Sequence, residues 1–229
     1  GESVKVYSVP ANRKEKKNNA FLSPAEEKEH WKAVLEAKTK ELQNYVVHQA
    51  IRAVQQVGAH WNIMSAKWIL TWKWGGDKVG WKIKARLVVR GFQDLQGSDV
   101  QKFSPTCSRV GQRLLVSTSV LYGWSLQSVD VSAAFLQGQL LSEAETGGGE
   151  QRQVWAKPPK DVWDILRGIP EAWDMILPDV KEETSWIWAL LKAAYGLDDA
   201  PLLWKRELIN YLYSKLWTSS KYDTCILYK

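Results

Sequence analysis

Asp130-Val131-Ser132-Ala133-Ala134-Phe135 sets one carboxylate at the end of the strand-like apolar run Trp124 to Val129, followed by small residues and an aromatic ring. An acid at the end of a buried strand must be satisfied by local donors or hold a cation, because an unpaired buried carboxylate is costly. With Mg²⁺ as that cation, hard oxygens and substrate phosphates complete the shell, and the Val131 carbonyl is an available extra ligand. The small side chains of Ser132 to Ala134 let a triphosphate approach the backbone. Phe135 is then placed to lie beneath the sugar and exclude a 2′-hydroxyl. The same six residues also fit a simpler arrangement, with Asp130 capping the next turn and Phe135 in the core, and taken alone they favour it.

Two further groups carry the same chemistry. Lys82, Lys84 and Arg86 alternate along one strand, so they share a face. Arg suits bidentate phosphate contact and Lys acts as a point charge, the clamp that nucleotidyl transfer needs. A solvated strand face is the alternative. Tyr195-Gly196-Leu197 precedes Ala200-Pro201, a glycine turn leading into a helix that allows close backbone approach to a base pair. In isolation, an ordinary turn and helix start explains it better.

The charge distribution fits contact with phosphates and a solvated hairpin face equally. Residues 67 to 90 hold seven basic side chains, among them Lys67, Lys73, Lys82 and Arg90, against one acid, Asp77; this segment alone accounts for the net charge of +6. Concentrated positive charge interleaved with tryptophans is the footprint of a nucleic-acid surface.

The elements that position these residues follow from periodicity. Residues 1 to 22 are polar and basic and read as a mobile tail. Ser23, Pro24 and Glu26 form a helix start, followed by an apolar stripe through Trp31, Val34, Leu35, Lys38, Leu42, Tyr45 and Val46, with Lys38 snorkelling. From Lys67 to Trp74 the period becomes two, Gly75-Gly76-Asp77 and Gly80 supply a turn, and Trp81 to Val89 alternates again, which predicts a β-hairpin. A helix is expected from about Gly111 to Tyr122, closed by Gly123. Residues 143 to 150 are Gly-rich and acidic and read as a surface loop. Trp186 to Ala194 is strand-like, and a helix opens at Ala200 with Trp204, Leu208, Tyr211, Leu212 and Leu216 on one face. Helices and strands are mixed without regular alternation, which favours α+β.

Composition removes several classes. No apolar stretch approaches the roughly 18 to 20 residues of a membrane span, and the N-terminus is not signal-like. Cys107 and Cys225 lack metal-ligand spacing, and His30, His48 and His60 accompany no cysteine, which argues against zinc. A reducing, intracellular compartment is the default expectation.

In order and spacing, these segments resemble the reverse transcriptase of copia-type retrotransposons. The resemblance is carried by Lys84-Ala85-Arg86-Leu87-Val88, Phe103-Ser104-Pro105, Asp130-Val131-Ser132-Ala133-Ala134-Phe135, Val154-Trp155-Ala156-Lys157-Pro158-Pro159, Tyr195-Gly196-Leu197 before Ala200-Pro201, and Asp223. Each motif is weak alone; several in the right order over residues 24 to 229 are specific. The resemblance implies an RNA-directed DNA polymerase region of a Pol polyprotein. Its expected architecture is polymerase fingers and a partial palm, an antiparallel sheet with packed helices: an N-terminal helix and fingers hairpin over 23–123, and a partial palm over 124–229 with a loop insertion at about 139–185. It implies two Mg²⁺ or Mn²⁺ ions, an RNA template, a DNA primer, a dNTP, the remainder of the polyprotein as partners, and a cytoplasmic setting that includes virus-like particles. Asp130 would be the catalytic metal ligand, with Val131 beside it. Lys84, Arg86, Phe135, Tyr195 and Gly196 would meet the nucleotide, and Lys67, Lys73, Lys82 and Arg90 the nucleic acid.

The pattern also departs from the family. Relatives carry an aromatic followed by paired aspartates on a palm hairpin, and no such motif occurs up to Lys229. Asp198 and Asp199 are adjacent but fall in the Tyr-Gly-Leu turn, so they are not assigned as ligands. With one carboxylate, this chain alone is expected to be inactive. The alternative expectation is a catalytically inactive relic that binds nucleic acid through the hairpin at 67–90.

Overall fold

A computed structural model describes residues 18–55, 61–144, 146–172 and 186–229. The expected tail lies outside the described residues except for 18–22, which do not behave as a tail. Asn19 N donates to Trp72 O at 2.7 Å, Trp72 N to Ala20 O at 2.9 Å and Leu22 N to Leu70 O at 3.0 Å, so this stretch lies along the hairpin, with the Leu22 side chain buried.

The first helix starts as its sequence requires. Ser23 Oγ accepts from Glu26 N at 3.3 Å while Glu26 Oε2 accepts from Ser23 N at 2.9 Å, closing a capping box ahead of α1 (Pro24–Glu29). A break at His30 precedes α2 (Trp31–Val47), which buries Val34, Glu41, Leu42, Tyr45 and Val46. The buried stripe is rotated from the expected one: Trp31 and Leu35 are exposed, and Glu41 faces inward. Lys38 does not snorkel to bulk water; its ammonium donates to Asp161 Oδ2 at 2.6 Å and lies 5.2 Å from the Trp68 ring centroid.

Five strands form the main sheet: β1 (Ile51–Gln55), β2 (Ile63–Trp74), β3 (Trp81–Val89), β4 (Trp155–Lys157) and β5 (Trp186–Leu190). Their order is β1-β5-β4-β2-β3, antiparallel throughout except for β2 with β4. The predicted hairpin is β2–β3. Its register opposes Trp68 to Leu87, Leu70 to Ala85, Trp72 to Ile83 and Trp74 to Trp81. Opposed residues share a face, and this one packs with Leu22 and Val34 in a compact apolar cluster.

The described part of the segment expected as a loop insertion, residues 139–144 and 146–172, supplies central structure instead. Within 139–185, β4 sits in the middle of the sheet, and α4 (Asp161–Arg167) buries Val162, Trp163, Ile165 and Leu166 in the main core beside Tyr45 and Trp188. Its short elements and scattered prolines conceal it, because three residues of strand are too few to show a period.

α3 (Arg109–Tyr122) is capped by Ser108, whose hydroxyl accepts from Gly111 N at 3.0 Å, and ends at Gly123 with φ of 68°. Beyond it the expected buried strand is absent. Residues 124–131 have no regular secondary structure and are exposed, with Trp124 57%, Leu126 57% and Val129 84% accessible. A strand needs a neighbour to satisfy its backbone, and among the described residues none lies beside this one. α5 (Ala200–Ser214) buries Ala200 and Leu203 but leaves Tyr211 exposed, and it ends before Leu216. A two-stranded hairpin, β6 (Thr218–Ser219) with β7 (Leu227–Tyr228), follows. The whole is a mixed fold of helices on a mostly antiparallel sheet.

Candidate nucleotide and nucleic-acid site

The face of the hairpin opposite its tryptophans is cationic. The register opposes Lys73 to Lys82, Thr71 to Lys84 and Ile69 to Arg86, which puts Lys67, Lys73, Lys82, Lys84 and Arg86 on one surface. Lys67, Lys73 and Lys82 are exposed; Lys84 and Arg86 are half-buried. Burial, followed by repulsion from Arg86 and Lys73, holds the Lys84 ammonium below its ordinary pKa, against the opposing pull of Glu41 and Asp130. An ammonium crowded in this way gains from an anion that relieves the repulsion.

Beneath these cations sits a carboxylate that strand periodicity cannot reveal. Glu41 Oε1 accepts from Leu87 N at 3.2 Å, and the neighbouring Tyr45 hydroxyl donates to Leu87 O at 3.1 Å. Burial raises the Glu41 pKa, with the Leu87 amide, Lys84 and Arg86 pulling the other way. The signal in the sequence is its position on the inward face of α2, three residues after Lys38 and four before Tyr45.

The Tyr195-Gly196 turn closes against the end of β3. Val89 N donates to Tyr195 O at 2.8 Å. Gly196 has φ of +100°, and a Cβ there would lie 1.9 Å from Val89 O, while one on Gly91 would lie 2.0 Å from Gly196 O. Both glycines are required by this contact. The turn carries the Tyr195 ring to Arg86, whose guanidinium carbon is 5.7 Å from the ring centroid, and to Phe135, whose ring meets it edge-on at 5.3 Å. Burial raises the Tyr195 phenol pKa; Glu41 and Asp130 add to the rise and Arg86 opposes it. Arg86 Nε is buried without a hydrogen-bond partner.

Asp130 is exposed, which corrects the expectation of a carboxylate at a buried strand end. The argument that burial forces it to hold a cation therefore does not apply. It nevertheless lies near enough to Lys84 and Tyr195 to act on their ionisation. Ala133, in a left-handed conformation at φ of 51°, turns the chain into the short 3-10 segment Ala134–Gln137, where Leu136 is buried and Phe135 half-buried. Gly138 then passes close to α5: a Cβ on it would lie 3.1 Å from Trp204 N. The structure thus brings Asp130, Phe135, Lys84, Arg86 and Tyr195 together from three separate stretches of chain, and Gly196 with them. Lys67, Lys73 and Lys82 extend along the hairpin, and Arg90 is exposed just past β3. Val131 lies beside Asp130 at the surface.

Asp130 and the Val131 carbonyl offer hard oxygens of the kind Mg²⁺ takes. Among the described residues, no group of three or more His, Cys, Asp or Glu is placed to hold a metal ion. Asp199 is occupied differently: Arg152, fully buried, donates from Nε to Asp199 Oδ2 at 2.8 Å and from Nη1 to Asp94 Oδ1 at 3.0 Å. Asn62 Nδ2 also donates to Asp94 Oδ1, at 2.8 Å. This network joins the loop after β3, the approach to β4 and the start of α5, and so fixes the Tyr195 turn against the hairpin.

Residues 48–160 match the family model described as reverse transcriptase (RNA-dependent DNA polymerase), and the chain belongs to that family as a reverse transcriptase region of a retrotransposon Pol polyprotein. It is 30% identical over 169 residues, 73% of its length, to the retrovirus-related Pol polyprotein from transposon RE1 of Arabidopsis thaliana, and 30% identical over 165 residues, 72% of its length, to that from transposon RE2 of the same plant. It is 23% identical over 91% of its length to the retrovirus-related Pol polyprotein from transposon TNT 1-94 of Nicotiana tabacum. The chain spans 10% of each Arabidopsis polyprotein and 14% of the tobacco one. No solved structure matches it. Among the described residues, no helix is long and apolar enough to cross a membrane.

Proposed function

We propose that this chain supplies the nucleotide-facing part of an RNA-directed DNA polymerase, its hairpin acting as fingers and residues 124–229 as part of a palm. The observation that carries this reading is the convergence of Asp130, Phe135, Lys84, Arg86 and Tyr195 against the cationic face of β3. In it, Lys84 and Arg86 hold the triphosphate of a dNTP, Phe135 packs beneath the sugar, and Gly196 leaves room for the nascent base pair. Lys67, Lys73, Lys82 and Arg90 contact the backbone of the RNA template and DNA primer. Asp130, with the Val131 carbonyl, takes one divalent ion. Two such ions in a complete site would activate the primer 3′-hydroxyl and steady the leaving pyrophosphate.

A second reading is favoured for the chain by itself. Among the described residues, Asp130 belongs to no group of three or more His, Cys, Asp or Glu placed to hold a metal ion, whereas two-metal chemistry needs several oxygen ligands. The chain then binds primer and template without copying them. Binding and primer extension on an RNA template with Mg²⁺, measured side by side, separate the two. Binding without extension is expected, and extension that disappears in Asp130→Asn would assign catalysis to this chain.

A further inference from the structure

The chain has two cysteines, Cys107 and Cys225, far apart in sequence, and both are half-exposed free thiols. The fold brings their surroundings together around one carboxylate. Asp223 Oδ2 accepts from Ser108 N at 2.8 Å and Asp223 Oδ1 from Cys225 N at 2.9 Å, so a single side chain bridges the backbone next to one cysteine and that of the other. Cys225 Sγ also donates to Pro105 O at 3.3 Å, two residues before Cys107. From the far side, the site of a Cβ on Gly111 lies 3.0 Å from Cys107 Sγ, 2.9 Å from Asp223 Oδ2 and 2.7 Å from Ile226 Cδ1. The absence of a side chain at Gly111 is what lets the β6–β7 hairpin seat on the first turn of α3.

We propose that Cys107 and Cys225 are an oxidation site, converted by an oxidant of the peroxide class into a disulfide that ties the β6–β7 hairpin to the start of α3. Lys205 Nζ stands 3.5 Å from Cys225 Sγ and 3.4 Å from Pro105 O, which places a cation beside the first sulfur to react. Cys225 releases its proton and, as thiolate, attacks one peroxide oxygen; the O–O bond breaks, the departing hydroxide takes up that proton to leave as water, and a sulfenic acid remains. Cys107 then gives up its proton and attacks that sulfur, the S–O bond breaks and a second water departs. Two thiols and one peroxide become one disulfide and two waters. Burial, then the Asp223 carboxylate and Cys225, push the Cys107 thiol pKa up, which keeps Cys107 from being the first sulfur to meet the peroxide. Both sulfurs sit on short irregular segments, which can shift to meet the geometry a disulfide demands. The bond restrains the helix that leads into Asp130.

The test treats the whole chain with hydrogen peroxide under native conditions, counts thiols, weighs the intact protein without reductant and maps its peptides. Both thiols should disappear with a loss of two hydrogen atoms, in a monomer whose 107-bearing and 225-bearing peptides are joined and are released by dithiothreitol. The same treatment in urea should form this bond at least tenfold more slowly, since unfolding separates the pair. Cys107→Ser should leave Cys225 with added oxygen and no internal crosslink. Persistent thiols, oxygen added separately to each sulfur of the native chain, dimers linked between molecules, or an equal rate in urea would each overturn the proposal.

Discussion

Arg152 and Asp199 meet at 2.8 Å with both side chains shut away from solvent, and the same guanidinium holds Asp94. Burial pushes the Asp94 carboxyl up, but hydrogen bonds from Arg152 and Asn62 and the Arg152 charge outweigh it and hold the pKa below its ordinary value. This fully buried cation ties two carboxylates together, and removing it leaves Asp199 without its ion-pair partner and Asp94 with only Asn62 and the Gln96 amide.

Arg152→Ala is therefore expected to destabilise the chain by about 3–5 kcal/mol in urea unfolding. Arg152→Met, which restores volume without charge, should recover only a minor part. A loss below about 1 kcal/mol for Arg152→Ala would show that the network contributes little to holding the Tyr195 turn.

The network also explains why part of the site was hidden in the sequence. Lys84, Arg86 and the tryptophan face were legible, because a period of two puts alternate residues on opposite faces and the register follows from that. Arg152 gave no such signal: its partners are 58 and 47 positions away, and no local spacing encodes a contact between three loops. The stretch 124–129 does not form a buried strand, for a related reason. Its residues have strand character, but a strand is completed by a neighbour, and among the described residues that stretch has none. The apolar stripe of α2 was displaced because Glu41 turns inward to the Leu87 amide, an anchor that hydrophobic patterning excludes by construction.

Acid should act through Asp223. Amide hydrogen bonds from Ser108 and Cys225 lower its pKa from 3.8 to about 2. A carboxylate with a depressed folded pKa contributes stability that is complete above 3.8 and is lost as the pH falls towards about 2. Asp94, also depressed, acts in the same direction. In Asp223→Asn, the pH dependence of stability across that window should shrink, and an unchanged acid limb would show that the carboxylate does not bridge the two segments in solution.

Gly196 separates two effects of glycine. At φ of +100° and with Val89 O 1.9 Å from a Cβ, Gly196→Ala meets both a strained backbone and a collision with main chain. Gly76 has φ of +93° with nothing near its Cβ position. Gly76→Ala should cost about 1 kcal/mol, the conformational penalty alone. Gly196→Ala should exceed it by about 2 kcal/mol or more, because the turn must withdraw from β3. Equal losses in thermal unfolding would mean that the turn yields freely.

The cationic face of the hairpin makes the most direct prediction about partners. Each phosphate contact releases counterions, so the affinity for a single-stranded or duplex nucleic acid falls with salt by about 0.7–0.9 log units per log unit of salt for every contact. Lys82, Lys84 and Arg86 share one surface with Lys67 and Lys73, whereas the opposite surface is packed with tryptophan. Replacing Lys82, Lys84 and Arg86 together by Ala removes up to three contacts from the cationic face, and the slope should flatten by about 2. Arg86 also rests on Tyr195, so its loss carries a local packing effect that Lys82→Ala and Lys84→Ala avoid. Those two single variants should each flatten the slope by somewhat less than 1 while leaving the unfolding midpoint in place. A slope that stays constant across all three proteins would return these cations to an ordinary solvated strand face and remove the hairpin from the proposed nucleic-acid surface.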